Sequence, residues 1–298
     1  MKTEKTIAFI GLGNMGLPMA INLANAGETV RGFDPQVTDT NTKLPETLTL
    51  CSSLDDALLT SNLVITMLPN GHIVLDVLNA IIQGGATPAV VLDCSTIDIN
   101  HAREAHRIAG EAGINYMDAP VSGGISGAAA GTLTTMIGGD ENVLSTIKPR
   151  IEPMFKTFIH CGAGGSGQAA KICNNMLLAT TMIGTGETFN LGKKLGLDQD
   201  TLFSVLSTST GSCWSVNSYC PVPAVGPSSP ADNDYKPGFS VAMMLKDLHL
   251  TQAAADSAHQ ATPLGAHALE LYEEYANSGA TEEDFSGIIR YLAQLERQ

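Results

Sequence analysis

Basic residues are scarce in this chain of 298 residues: 16 Lys and Arg stand against 30 Asp and Glu, a formal net charge of −14. Neither a phosphate backbone nor an anionic headgroup layer is attracted overall to such a surface. No nucleic-acid and no membrane partner is therefore expected, although a local basic site within a cleft is compatible with the balance. Long apolar runs are missing too, all falling far below the roughly 18 residues a membrane helix requires. The opening Met1-Lys-Thr-Glu-Lys-Thr6 leads straight into the strand-like Ile7-Ala-Phe-Ile10 with no signal-peptide core, so the expected compartment is cytoplasmic. No CxxC pair occurs among Cys51, Cys94, Cys161, Cys173, Cys213 and Cys220, which are expected to be free thiols in a reducing environment. The seven histidines form no HxxxH or HExxH pattern and no acidic cluster accompanies them, so no metal is expected.

What the chain does have is apolar material, 44% hydrophobic against 15% charged residues, the composition of a folded protein long enough for two domains. In the first half, short apolar runs at 6–10, 29–33, 63–68, 89–93, 115–119, 133–137 and 157–160 alternate with helical stretches at 15–26, 73–82, 100–112 and 141–150. This alternation predicts a parallel sheet covered by helices on both faces. From Gln168 to about Leu195 there is no proline, and over 169–183 apolar residues surround the helix, a pattern that predicts burial on every side, between domains or against a partner subunit. Helices are expected again at 199–207, 243–260, 263–278 and 282–295. The proline-rich stretch 221–238 breaks the pattern and reads as a structureless loop, functional or disordered.

The sharpest local signal is Gly11-Leu12-Gly13-Asn14-Met15-Gly16, which follows the first strand and opens a helix. Gly11 allows the tight turn, Gly13 lets backbone approach a pyrophosphate, and Gly16 lets helix and strand pack closely. The helix N-terminus adds free N–H groups and partial positive charge. Asp34 ends the second strand eighteen residues past Gly16. There a carboxylate accepts hydrogen bonds from ribose hydroxyls and repels a 2′-phosphate, which points to NAD over NADP. The plainer reading of Asp34 is a turn former in Phe33-Asp-Pro-Gln. Arg31 should face away from it by strand alternation.

Four ordered blocks then resemble the 3-hydroxyisobutyrate dehydrogenases of the 3-hydroxyacid dehydrogenase family. They are residues 11–27, GLGNMGLPMAINLANAG; 118–139, DAPVSGGISGAAAGTLTTMIGG; 164–175, GGSGQAAKICNN; and Lys246-Asp-Leu-His-Leu250. The resemblance implies an α/β fold: a Rossmann-type doubly wound sheet domain, residues 1–164, binding NAD, joined by a long helix to an all-helical C-terminal domain, 165–298, for substrate and oligomerisation. It places cofactor contacts on Gly11 to Gly16, Asp34, Leu68, Pro69, Thr96 and Lys246, and catalysis on Lys171. A homodimer or homotetramer is implied as well.

The chemistry of alcohol oxidation asks the protein for a proton acceptor, and a lysine serves only where burial or nearby positive charge suppresses its ammonium form. Lys171, on the apolar helix and with Lys246 as a candidate neighbour, meets that description; otherwise it snorkels to solvent. Asn174 and Asn175 follow at helical spacing, and the family position favours Asn175 as partner of lysine or substrate, with Asn174 capping a polar gap. Ser122-Gly123-Gly124, after a strand, offers backbone N–H groups and a hydroxyl to a substrate carboxylate. Lys246 adds positive charge, and Asp247 either holds a lysine or favours its helix N-terminus. In part of the family, aromatics in the positions of Trp214, Tyr219 and Phe239 line the substrate end, so these three are expected to form a pocket wall or lid.

The expected reaction is NAD-dependent oxidation of a small 3-hydroxy acid, such as 3-hydroxyisobutyrate, to its semialdehyde. L-Serine 3-dehydrogenase and tartronate semialdehyde reductase share the same carboxylate-to-hydroxyl spacing and remain alternatives. A reading of another class, a non-catalytic dinucleotide-binding module for assembly, conflicts with the presence of Lys171, Asn175 and Lys246.

Overall fold

A computed structural model of the protein describes residues 6–37 and 43–295. It resolves into two compact units, Met1–Lys171 and Ile172–Gln298. The first is built around a nine-stranded sheet. Its elements run β1 (Thr6–Ile10), α1 (Gly16–Asn25), β2 (Val30–Phe33), β3 (Leu48–Leu50), α2 (Leu54–Leu58), β4 (Ser61–Thr66), α3 (Gly71–Gln83), β5 (Val90–Asp93), α4 (Ile99–Glu111), β6 (Asn115–Asp118), β7 (Val121–Ser122), α5 (Gly124–Ala130), β8 (Leu133–Gly138), α6 (Glu141–Ile151) and β9 (Phe155–Gly162). All seven expected strands are present; β3 and β7, only three and two residues long, carry too little pattern to be read.

The strand order is β3-β2-β1-β4-β5-β6-β8-β7, with β9 on the far side of β8. The six strands from β3 to β6 are mutually parallel. Ile7, Phe9, Leu63, Ile65 and Leu92 feed one apolar layer; Ala8, Ile10, Val64, Val74 and Ile81 feed the other. Hence the unbroken apolar runs of the sequence. The expected parallel sheet has one departure, because β8 runs antiparallel to β6 and β7. Between β6 and β8 lie only the two-residue β7 and then α5, seven residues long. At 1.5 Å per residue it spans about 10 Å, whereas returning along a six-residue strand takes about 20 Å. The chain therefore folds back instead of crossing over.

Helix α7 (Ser166–Lys194) opens in the first unit and continues into the second, which adds α8 (Gln199–Thr208), α9 (Trp214–Asn217), α10 (Val241–Ser257), α11 (Pro263–Tyr275) and α12 (Ile288–Leu292). Met182, Met244, Leu248, Tyr272 and Phe285 centre its core. Three expectations change here. Helix α7 is not buried on every side of the single chain: Cys173, Leu177, Gly184 and Leu191 form an exposed stripe, with Leu177 63% and Leu191 60% exposed. The stretch 221–238 is not structureless. Ser229 caps the 3-10 turn Pro230–Asn233, the Tyr235 hydroxyl donates to the Pro221 carbonyl at 2.8 Å, and Val225, Ala231 and Tyr235 pack with Phe189 and Ile289. Finally, the expected helix over 282–295 starts late, because the Asp284 carboxylate draws the Ser286 N–H and hydroxyl into a 3-10 turn before α12.

Candidate active site

The carboxyl ends of β2, β1, β4 and β5 stand side by side in the sheet, and the loops leaving them carry most of the expected cofactor residues. Successive strands depart to opposite sides of β1, the position where open α/β sheets form a crevice. Gly11 has a φ of +94°, and a Cβ there would lie 2.2 Å from the Met67 carbonyl oxygen. At Gly16 a Cβ would meet the Gly11 oxygen at 1.9 Å, whereas at Gly13 nothing stands within 4 Å. Turn and helix are thus packed shut on the inner side, while the backbone around Gly13 faces open space. Helix α1 has no side-chain cap and no acidic residue in its first turn, which leaves its N-terminus suited to an anion. This cradle fits a dinucleotide.

Leu12 contributes through its backbone. Its side chain is buried, and its N–H donates to Asp34 Oδ2 at 2.9 Å. The other oxygen, Oδ1, accepts from Gln36 N–H at 2.8 Å, so the carboxylate is fixed at both atoms. Arg31 pairs with Asp56 of α2 and is engaged there. Asn14 and Pro69 are exposed, while Met15, Leu68 and Thr96 are half-buried. Ser122 ends β7, and the following Gly123 and Gly124 both have positive φ, +134° and +63°.

Three buried polar residues that the sequence reasoning gave no role tie these loops together. Asp93 accepts from Thr66 Oγ1 at 2.7 Å, Ser95 N–H at 3.1 Å and the Tyr116 hydroxyl at 2.8 Å. Burial pushes its carboxyl above the ordinary range against the pull of those three donors. Asp118 accepts from His106 Nε2 and Gly165 N–H, both at 2.8 Å, and from Gln168 N–H at 2.9 Å, and so caps the start of α7. Gln168 spans the loop after β5 with both ends of its amide. Asp118 and Gln168 lay within blocks already singled out, and that was the only available signal.

Lys171, three residues on, is buried with 6% exposure. It closes the first unit. One turn later, in the second unit, Asn175 is buried and Asn174 is exposed; Asn174 Nδ2 donates to Asn175 Oδ1 at 2.9 Å rather than capping a buried gap. Asn175 Nδ2 donates to Asp247 Oδ2. Lys246 Nζ lies 3.5 Å from Asp247 Oδ1, an oxygen that has no hydrogen bond among the described residues. Asp247 therefore gathers Asn175 and Lys246 around itself. The alternative of a helix N-terminal role falls away, because α10 begins six residues earlier at Val241.

The aromatic trio also assembles, through a fourth ring. Trp214, half exposed, stacks on Tyr219 at 4.8 Å between centroids; Tyr219 stacks on Phe285 at 5.5 Å, and Phe239 meets Phe285 edge-on at 5.7 Å. Asp284 fixes the set by accepting from the Tyr219 hydroxyl and the Gly238 and Phe239 N–H groups at 3.0, 3.0 and 3.1 Å. Burial, then the Asp284 charge, keep the Tyr219 phenol protonated. All six cysteines are free. Among the described residues no group of three or more His, Cys, Asp or Glu could hold a metal, and no helix is long and apolar enough to cross a membrane.

The chain matches two family models end to end. Residues 6–162 match the NAD binding domain of 6-phosphogluconate dehydrogenase, and residues 165–292 match the NAD-binding domain of NADP-dependent 3-hydroxyisobutyrate dehydrogenase. A Mycobacterium tuberculosis protein named "Probable 3-hydroxyisobutyrate dehydrogenase" is 47% identical over 96% of this chain and 97% of its own length. The chain belongs to the 3-hydroxyisobutyrate dehydrogenase family. Also similar is an NAD-dependent L-serine dehydrogenase of Pseudomonas aeruginosa, 42% identical over 99% of this chain and all of that protein. Among solved structures, that of Mycobacterium tuberculosis 3-hydroxyisobutyrate dehydrogenase with L-serine superposes with a TM-score of 0.89 at 46% identity, covering 97% of this chain and 99% of the other.

Proposed function

We propose that this protein oxidises a small 3-hydroxy acid of the 3-hydroxyisobutyrate kind to its semialdehyde, with NAD as hydride acceptor and Lys171 as general acid and base. The observation that carries the reading is a buried lysine one turn beyond a helix start that is bonded into the cofactor edge of the sheet. When bound, the nicotinamide takes up the hydride. The chain supplies the rest. Residues 1–164 hold the cofactor: Gly11, Gly13, Asn14, Met15 and Gly16 receive the diphosphate, Asp34 receives the ribose, and Leu68, Pro69 and Thr96 contact the remainder. Residues 165–298 serve substrate and assembly.

Lys171, withdrawn from bulk water, takes the hydroxyl proton and returns it in the reductive direction. Ser122, Gly123 and Gly124 receive the carboxylate, with Lys246 adding charge to it or to the cofactor. Asp247 orients Asn175, and its buried oxygen without a hydrogen bond is a position that a polar ligand satisfies. Trp214, Tyr219 and Phe239 limit substrate size.

L-Serine is a second reading, favoured by the serine dehydrogenase at 42% identity and by the solved relative that holds L-serine. Initial rates with 3-hydroxyisobutyrate, L-serine, glycerate and 3-hydroxypropionate, each with NAD and NADP, separate the substrates. Lys171→Ala should lower kcat by roughly 10²- to 10⁴-fold while NAD still binds. A fully active variant would overturn the mechanism. A second copy of the chain covers the exposed Leu177–Leu191 stripe in a homodimer or homotetramer. The six free thiols fit a cytoplasmic location, which cell fractionation reads directly.

A further inference from the structure

Gln168 is completely buried in the first turn of α7. A primary amide is costly to bury unless its donor and acceptor both find partners. Here Nε2 donates to the Ser95 carbonyl at 2.7 Å and Oε1 accepts from the Ile97 N–H at 3.1 Å. Those two peptide groups flank Thr96. The amide thus lies along residues 95–97 as a neighbouring strand would, with one donor and one acceptor in register. Its own N–H is held by Asp118 Oδ2, so the residue is tied at side chain and backbone alike.

Lys171 follows by three residues, about 4.5 Å along the axis and on the same side of the helix. A slip of the amide by one hydrogen-bond position would move the lysine by a comparable distance. We infer that Gln168 is a positioning residue that sets the reach of Lys171 relative to the Thr96 loop, touching neither substrate nor cofactor itself. The inference rests on the roles proposed above for Lys171 and Thr96.

Two substitutions separate positioning from mere packing. Gln168→Met keeps the bulk and removes both hydrogen bonds. Gln168→Glu keeps the acceptor, and when its carboxyl is protonated the O–H can donate to Ser95 as the amide did. Titratable groups around this turn include Asp93, which holds the Ser95 N–H, Asp118, which holds the Gln168 N–H, Tyr116 and Cys161 beside Asp118, Arg103 and His106 of α4 against Gly165 and Gly164, and Lys171 on α7 itself. Burial and the two carboxylates favour the protonated form of the introduced acid, and Arg103, His106 and Lys171 oppose them, so its protonation sets where the pH series turns rather than its direction.

In the Gln168→Met variant, kcat should fall about tenfold or more while the Kd for NAD moves less than about twofold, since Gly11–Gly16 and Asp34 are untouched. The primary isotope effect with substrate deuterated at the reacting carbon should rise. For Gln168→Glu, the ratio of its kcat to that of the wild type should climb towards one as pH is lowered and sink towards the Met value as pH is raised. A Met variant within about twofold of wild-type kcat, or a Glu ratio flat with pH at the Met level, overturns the inference and leaves the functional reading intact. Should the Met variant not fold, the Glu series decides alone. A wild-type chain inert towards the whole substrate panel, or a fully active Lys171→Ala, defeats both readings.

Discussion

Replacing Asp34 tests the cofactor assignment at a position whose energetics can be worked out. Each carboxylate oxygen already accepts one backbone N–H, Leu12 at 2.9 Å and Gln36 at 2.8 Å, and an ionised oxygen has capacity for a second donor. In the proposed cofactor pose two ribose hydroxyls would fill that capacity. Hydrogen bonds to a charged group contribute about 1.5–3 kcal/mol net. Asp34→Ala, which loses both, should therefore raise the KM for NAD by roughly 10²- to 10⁴-fold at about 1.4 kcal/mol per decade. The ribose keeps the same contacts as the reaction proceeds, so kcat should stay within about twofold. The NADP preference should rise relative to wild type, because a 2′-phosphate no longer meets a carboxylate. Asparagine is no remedy: its NH₂ must face either the Leu12 or the Gln36 N–H, donor against donor, so Asp34→Asn should bind NAD no better than alanine. Initial rates over an NAD series at saturating substrate, repeated with NADP, read all of this. Unchanged KM values for both cofactors in Asp34→Ala would refute the ribose assignment, and a fall in kcat alone would place the residue elsewhere in the reaction.

Two more outcomes follow from buried and exposed extremes of the same chain. Burial raises the folded-state pKa of Asp93 above the ordinary carboxylate range, so its contribution to stability is fully present below the unfolded pKa and is lost as pH rises through the raised one. Asp93→Asn lacks that loss, and the wild-type advantage in urea midpoint should shrink with rising pH from about pH 4; a constant difference would refute the sign. At the other extreme, Leu177→Glu places a charge on the exposed α7 stripe and should shift sedimentation towards monomer. A monomeric wild type, or a variant with unchanged mass, removes the assembly reading.

The glycine turn after β1 was legible because its constraints are local: Gly11, Gly13 and Gly16 lie within six residues, and steric contacts of 2.2 and 1.9 Å at the two inner positions admit nothing larger. Helix starts were legible for a similar reason, since Asn70, Asp98, Asp140 and Asp198 each cap their own following turn. Segment 221–238 was not legible. Its prolines and glycines suggest disorder, yet its order comes from Tyr235 and Ser229 reaching back to Pro221 and Cys220, contacts that no periodicity shows. The short α5, rich in alanine and glycine, likewise forms where its Gly127 and Ala128 are buried in the core of the first unit.

Least legible were the buried polar residues, and they explain why the site can be stiff. Gln168 finds its partners 71 and 73 residues away in sequence, and Asp118 reaches 47 and 50 residues to Gly165 and Gln168. Ser95 is where three of these hydrogen bonds meet: its N–H donates to Asp93, its Oγ accepts from Leu68 N–H at 2.8 Å, and its carbonyl accepts from Gln168. The loop after β4, the loop after β5 and the first turn of α7 are thereby one hydrogen-bonded unit. Apolar residues of equal volume could fill the same space, but they would fix neither register nor direction. A base that must meet a hydroxyl proton within a fraction of an ångström gains from a scaffold in which the Gln168 amide and the N–H groups around it already have their acceptors, because a loose first turn would lose the orientation on which the rate depends.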